Sequence, residues 1–241
     1  QATGYVKGIV GGRGEKTASL SLNRATDTTR QPGSTFKIVS TYAPALDSAG
    51  MTLASTQYDA PYYYDEGKGK EVRNAGRSYS GWTSYREGIR RSINIVAVKT
   101  LTDITPELGA TYVQNFGITT LQTELDSGGN GDVGQAMALG GLTNGVKNVE
   151  LTAAFATIAN GGVYTEPVFY TRILDHDGNV LIDNTVSTTR TVLKDTTAWL
   201  LTNAMQDVVT SGTGTRANFS GMTIAGKTGT TTSNNDVWFV G

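Results

Sequence analysis

The chain has 241 residues, 20 Lys+Arg against 21 Asp+Glu, a net charge of -1 and only 17% charged residues. That balance offers no basic surface for nucleic acid or for an anionic membrane. The absence of cysteine excludes thiolate nucleophiles, disulfides, zinc ribbons and iron–sulfur clusters, and a single histidine excludes multi-histidine metal sites.

No apolar run reaches the roughly 18 residues of a membrane span. Residues 5–12 and 17–22 read as a hairpin pair, followed by a polar turn over 25–33. From Thr35 to Leu46 the spacing predicts a helix, with Phe36, Val39, Ala43 and Leu46 on one stripe and Pro44 kinking or shortening it. Residues 50–83 hold no lasting periodicity and read as a long surface excursion around Tyr62-Tyr63-Tyr64. Helices are expected over 85–91, from Asn94 onward, and from Pro106 to Phe116. A Gly-rich stretch covers 122–145. Asn148 is expected to cap a helix carrying Leu151, Ala154, Phe155 and Ile158, closed by Asn160-Gly161-Gly162. Residues 163–183 read as a hairpin whose turn is Asp175-His176-Asp177-Gly178, which leaves the only histidine exposed. Asp195 is expected to cap the strongest helix, with Ala198, Leu201, Met205 and Val208 inward. Strands return at 222–227 and 236–240. Strands first, helices in the middle and strands last predict an α+β fold: an antiparallel sheet flanked by helices, with an all-helical subdomain inserted. The sheet part is placed at about 1–33 and 163–241, and the helical part at about 35–160. An apolar strand at each end is expected of a piece of a longer protein.

With the histidine in a turn, a Ser-His-Asp triad is disfavoured, and an acyl-transfer enzyme of this sequence needs another base. Ser34-Thr35-Phe36-Lys37 supplies one: three residues apart at a helix start, the serine and lysine share a face. A serine hydroxyl attacks only when a base takes its proton. A lysine is that base when burial and a neighbouring cation keep it neutral. Ser92-Ile93-Asn94 lies between two helices; its hydroxyl can relay a proton and its amide can hold a substrate, although Ser and Asn are also ordinary N-caps. Lys227-Thr228-Gly229-Thr230 closes a strand-like run; Lys227 adds a positive charge, the threonine hydroxyls can grip a carboxylate, and Gly229 admits a ligand backbone. Each motif alone has a bland reading as a solvated helix face, a cap or a strand end.

Two further patterns are decoys. Residues 221–228 fit G-x-x-x-x-G-K-[ST], yet the polar run over 229–236 is not helix-forming, so a nucleotide-binding P-loop is a remote alternative. Residues 129–134 fit G-x-G-x-x-G, but the polar Thr123-Glu124-Leu125-Asp126 before them is no buried strand.

S-x-x-K, S-x-N and K-T-G in this order are the signature of penicillin-recognising serine enzymes. Arg30-Gln31-Pro32-Gly33-Ser34-Thr35-Phe36-Lys37, Ser92-Ile93-Asn94-Ile95-Val96-Ala97-Val98, the 154–164 run and 225–231 with 236–241 resemble bifunctional (class A) penicillin-binding proteins over nearly the whole chain. The resemblance implies a D,D-transpeptidase domain that cross-links peptidoglycan stem peptides ending in D-Ala-D-Ala and is acylated by β-lactam antibiotics. It implies Ser34 as nucleophile, Lys37 as base, Ser92 as proton shuttle and Lys227 as the source of the field. Asn94, Thr228, Gly229 and Thr230 would bind substrate, with an oxyanion hole from the backbone N–H groups of Ser34 and Thr230. No metal or organic cofactor and no nucleic acid partner are implied. The parent is expected to be membrane-anchored on the extracytoplasmic face, with a glycosyltransferase domain. Ile38 stands where many class A members have proline, and relatives continue beyond residue 241 with at least one more strand and a helix, so C-terminal truncation is expected. A D,D-carboxypeptidase, a serine β-lactamase and a β-lactam sensor share the motifs. None of Glu71, Glu87, Glu107, Glu124, Glu150 or Glu166 lies in the E-x-x-L-N context that the common β-lactamases use for deacylation.

Overall fold

The computed structural model describes residues 2–129, 131–231 and 234–241. Asn130, in the G-x-G-x-x-G decoy, lies outside them. Among the described residues, six α-helices form the body: α1 (Ala43–Asp47), α2 (Tyr85–Arg90), α3 (Asn94–Ile104), α4 (Pro106–Asn115), α5 (Asn148–Ala159) and α6 (Asp195–Ser211). Helix α3 is central. Ile95, Val96, Ala97, Val98 and Leu101 are all fully buried, as expected of a helix apolar almost all round. It packs against α1, α4 and the turns that precede α1. Helix α6 presents Ala198, Leu201, Met205 and Val208 to α2 and α5, at the spacing of one helical face. None of the helices, among the described residues, is long and apolar enough to cross a membrane.

The helical run before α1 has three parts. A 3-10 turn (Gly33–Thr35) leads through Phe36 and Lys37 into a π turn (Ile38–Tyr42), and α1 comes next. Pro44 explains the π turn in part. It has no N–H for the Ser40 carbonyl, and the chain widens so that the Ala43 N–H reaches the Ile38 carbonyl, five residues back. The expected kink is thus a change of helical pitch.

Strands among the described residues form six antiparallel pairs: β1 (Thr29–Arg30) with β6 (Val146–Lys147), β2 (Thr56–Asp59) with β5 (Gly81–Ser84), β3 (Tyr62–Tyr63) with β4 (Glu71–Val72), β7 (Val163–Thr165) with β10 (Thr189–Thr191), β8 (Arg172–Leu174) with β9 (Val180–Asp183), and β11 (Lys227–Thr230) with β12 (Val237–Val240). The α+β character and the antiparallel pairing match the expectation. The middle of the chain is not wholly helical, however. The stretch over 50–83 is two nested hairpins, held by Tyr58 against Trp82 across β2–β5 with ring centroids 5.3 Å apart. A cross-strand aromatic pair carries no sequence periodicity, which is why the stretch reads as irregular.

The N-terminal hairpin does not form. Tyr5 makes one parallel bridge with Val168, and no strand occurs after it before Thr29. Ile9, Val10, Leu20 and Leu22 are exposed; a two-stranded ribbon without a packed face is marginal. Two caps shift by one residue: Lys147 and Lys194 hold the capping positions, and Asn148 and Asp195 are the first helical residues. The last strand pair begins later than predicted, so Lys227 opens β11 rather than ending a strand.

Candidate active site

Ser34 sits in the 3-10 turn that opens the helical run. The turn is fixed from several sides. The Gln31 side chain accepts the Leu142 N–H at 3.0 Å and donates to the Leu142 carbonyl. Trp238 Nε1 of β12 donates to the Gln31 carbonyl at 2.9 Å, and Thr35 Oγ1 donates to the Pro32 carbonyl at 2.8 Å. Strand β11 lies directly against this turn. A Cβ on Gly229 would stand 2.5 Å from the Pro32 oxygen, and one on Gly33, at φ +56°, 2.9 Å from the Thr230 oxygen. The glycine of K-T-G therefore makes room for the chain's own nucleophile turn, not for a ligand backbone as the motif alone suggests. Ser34 lines a cleft of about 810 Å³ together with Gln31, Tyr64, Asn94, Asp132 and Thr230. Its hydroxyl has no hydrogen-bond partner among the described residues.

Lys37 and Lys227 are fully buried and meet at Ser92. Lys37 Nζ bonds the Ser92 carbonyl at 2.7 Å, Asn94 Oδ1 at 2.6 Å and Ser92 Oγ at 3.2 Å. Lys227 Nζ donates to Ser92 Oγ at 2.8 Å and to the Thr228 carbonyl at 2.9 Å. Burial, and then the Lys227 charge, hold the Lys37 amine well below the usual lysine value; burial alone brings Lys227 down to about 7. The bonds suit one protonation state. A neutral Lys37 has two hydrogens for the Ser92 carbonyl and Asn94 Oδ1, and its lone pair accepts from the Ser92 hydroxyl. That hydroxyl in turn accepts from a charged Lys227. Ser92 has φ +56°, an uncommon value for a serine, and it keeps the hydroxyl between the two amines.

Strand β11 supplies the far wall. Thr231 N–H donates to the Asp236 carbonyl at 3.1 Å, so antiparallel alternation makes Thr230–Val237 a non-hydrogen-bonded pair and turns the Thr230 N–H away from β12. The Thr228 and Thr213 hydroxyls lie 2.6 Å apart. Asn94 is more engaged than expected, with Oδ1 on Lys37 and Nδ2 donating to the Arg73 carbonyl at 2.6 Å.

The structure thus brings together Ser34, Lys37, Ser92, Asn94, Lys227, Thr228, Gly229 and Thr230. His176 lies apart on the exposed β8–β9 tip beside Asp177. The P-loop pattern dissolves, because Lys227 is buried on Ser92 and opens a strand rather than a helix. The polar G-x-G-x-x-G segment opens only a 3-10 turn (Gln135–Leu139). Sequence reasoning missed Thr213, Gln31 and Trp238, whose partners lie 15, 111 and 207 residues away. No local pattern marks such pairs.

An α+β fold with a serine turn packed on a lysine-bearing strand has clear relatives. The chain belongs to the family of penicillin-binding protein transpeptidase domains, whose model matches residues 1–241. It is 35% identical over 252 residues to penicillin-binding protein 1A of Clostridium tetani, covering 99% of this chain and 31% of that protein. It is 36% identical to penicillin-binding protein 1F of Bacillus subtilis, covering 99% of this chain and 32% of that protein. The chain thus spans about a third of the length of these curated relatives. Among solved structures it resembles penicillin-binding protein 1A from Haemophilus influenzae, with a TM-score of 0.75, 25% identity and coverage of 91% of this chain and 37% of the other. PonA1 of Mycobacterium tuberculosis in complex with penicillin V shares the fold, with a TM-score of 0.77 at 23% identity, over 92% of this chain and 59% of the other.

Proposed function

We propose that this domain is a D,D-transpeptidase working through a Ser34 acyl-enzyme. The observation that carries the reading is the continuous path Lys37–Ser92–Lys227, with both amines buried, beside a cleft that Ser34 and Asn94 line. Neutral Lys37 takes the Ser34 proton as Ser34 Oγ bonds to the carbonyl carbon of a donor ending in D-Ala-D-Ala. The oxyanion is held by the N–H groups of Ser34 and Thr230. The proton passes from Lys37 through the Ser92 hydroxyl to the leaving nitrogen, the C–N bond breaks and D-Ala departs. An acceptor amine then attacks the ester and returns the proton to Ser34 by the reverse path. Thr228 and Thr230 hold the donor carboxylate, Asn94 fixes Lys37 and faces the donor, and Gly229 keeps β11 close to the serine. β-Lactams enter as donors whose leaving group stays attached. No step calls for a metal or organic cofactor. By likeness to proteins named penicillin-binding protein 1A, the parent is a membrane-anchored synthase with a glycosyltransferase domain, acting outside the cytoplasmic membrane.

The lining of the cleft gives no support to glutamate-assisted hydrolysis of the acyl-enzyme of the kind the common β-lactamases use. Among the described residues no glutamate lines it. The one carboxylate among its described lining residues, Asp132, accepts the Gln122 and Thr143 N–H groups at 2.8 and 2.6 Å, one on each oxygen. The test is product analysis with a D-Ala-D-Ala peptide, with and without an amine acceptor, beside labelling by a fluorescent penicillin. Cross-linked product and loss of label in Ser34→Ala are expected. Hydrolysis alone in the presence of the amine would make it a carboxypeptidase, and label persisting in Ser34→Ala would remove Ser34 as nucleophile.

A further inference from the structure

Helix α3 opens on Ser92-Ile93-Asn94, where a serine or asparagine would ordinarily cap the free N–H groups. Neither does. The residue at the capping position is Ile93, with no side-chain bond. The N–H groups of Asn94 and Ile95 instead donate to Asn74 Oδ1, at 3.1 and 3.2 Å. Asn74 lies 20 residues upstream, between β4 and β5.

Its amide is pinned. Asn74 Nδ2 donates to Asp59 Oδ1 at 2.8 Å and to the Ser78 carbonyl at 3.0 Å, so a flip would lose both bonds. Asp59 is 1% exposed, and its other oxygen accepts the Ser80 N–H at 2.8 Å. The neighbouring Arg73 carbonyl takes Asn94 Nδ2 at 2.6 Å, which leaves Asn94 Oδ1 on Lys37 at 2.6 Å. One two-residue segment, Arg73-Asn74, therefore sets both the end of α3 and the direction of the Asn94 amide.

We propose that Asn74 is a positioning residue for acylation: by capping α3 from outside, it frees the side chains of Ser92 and Asn94 to hold Lys37. Without it, Ser92 or Asn94 is drawn to the exposed N–H groups of its own helix, as such residues are elsewhere. Lys37 then loses an acceptor or its link to Lys227. Asn74 touches neither substrate nor the reacting atoms, so its effect falls on the rate of bond formation and not on the first binding of the donor. The inference rests on the serine-acylation reading above.

The test is a time course of fluorescent-penicillin labelling on the chain, resolved into pre-covalent affinity and acylation rate. Asn74→Ala is expected to lower the acylation rate at least about ten-fold, as a misplacement below 1 Å does in an oriented site, with the pre-covalent affinity within about two-fold. Thr105→Ala removes the cap of α4, whose hydroxyl accepts the Leu108 N–H at 3.4 Å, and serves as the stability control; its acylation rate should match wild type. The paired swap Asn74→Asp with Asp59→Asn keeps an acceptor at 74 and lets the amide at 59 donate to it, but sets an Asp oxygen against the Ser78 carbonyl; acylation should recover in part, to at least about three-fold above Asn74→Ala. If Asn74→Ala does not fold, Asn74→Ser, which keeps a small polar side chain but loses the reach to the N–H groups of α3, decides, a folded Asn74→Ser that acylates at the wild-type rate counting against the role. Asn74→Ala acylating at the wild-type rate, or slowed no more than Thr105→Ala, overturns the proposal while leaving Ser34 in place. A wild-type chain that takes no label removes the acylation reading itself and this inference with it.

Discussion

Gly229→Ala asks how closely the nucleophile turn must sit against β11. The new methyl would stand 2.5 Å from the Pro32 oxygen and 2.8 Å from Thr35 Cγ2. A relaxed carbon–oxygen contact is about 3.3 Å, so the strand and the turn must separate by roughly 0.8 Å. The oxygen is backbone and cannot swing aside. The Thr35 methyl is tied through its own hydroxyl to the same carbonyl. Overpacking of this kind costs about 1–3 kcal/mol, which in a chain of this length lowers Tm by roughly 2–12 °C. The catalytic cost is of similar size, about 2.7 kcal/mol for a 10²-fold loss. The separation moves the Thr230 N–H away from the Ser34 N–H, and a displacement near 1 Å at the reacting centre costs about 10²-fold in rate. Penicillin-labelling kinetics beside a thermal melt measure both. A folded Gly229→Ala that acylates within three-fold of wild type would refute the argument that this close approach sets the oxyanion donors.

Other outcomes come from the lysine network. Lys37→Ala should slow acylation by roughly 10²–10⁴-fold, the reach of a general base; a rate that hardly moves would place the base elsewhere. Acylation should fall as pH rises through about 7 and Lys227 loses its charge, because the productive form pairs a Lys37 amine kept neutral by burial and by the Lys227 charge with a charged Lys227. A labelling rate that climbs steadily to pH 10 would contradict it. The folded chain binds fewer protons on Lys227 than the unfolded one between about 7 and 10.5, so stability should increase with pH across that window; a urea midpoint falling there would oppose the assignment. Thr213→Ala removes the partner of the Thr228 hydroxyl. At about 0.5–1.5 kcal/mol for one hydrogen bond, it should lower second-order acylation by roughly 2–12-fold, and an unchanged value would release Thr228 from that support.

Much of the site was legible because its chemistry is local: Ser34 with Lys37, Ser92 with Asn94, and Lys227 through Thr230 are each read within four residues. Helices α3, α5 and α6 were legible for the same reason, their apolar positions being a property of one segment. What escaped depends on partners far along the chain. The bland reading of Ser92 and Asn94 as caps of α3 fails because the cap, Asn74, comes from the segment between β4 and β5. Gly229 reads as room for a ligand because the turn that fills the space is almost two hundred residues earlier in sequence. Tyr58 and Trp82 pair across strands that no alternation announces. The N-terminal segment shows the opposite failure: its apolar runs predict a hairpin, but Ile9, Val10, Leu20 and Leu22 are exposed and pack on nothing that would hold one.

Intact mass of the chain after incubation with penicillin, combined with peptide mapping, tests the central claim most directly. The account predicts one stable penicilloyl adduct per chain, carried by the peptide containing Ser34. An adduct on Ser92 or elsewhere, or no adduct at all, would contradict it.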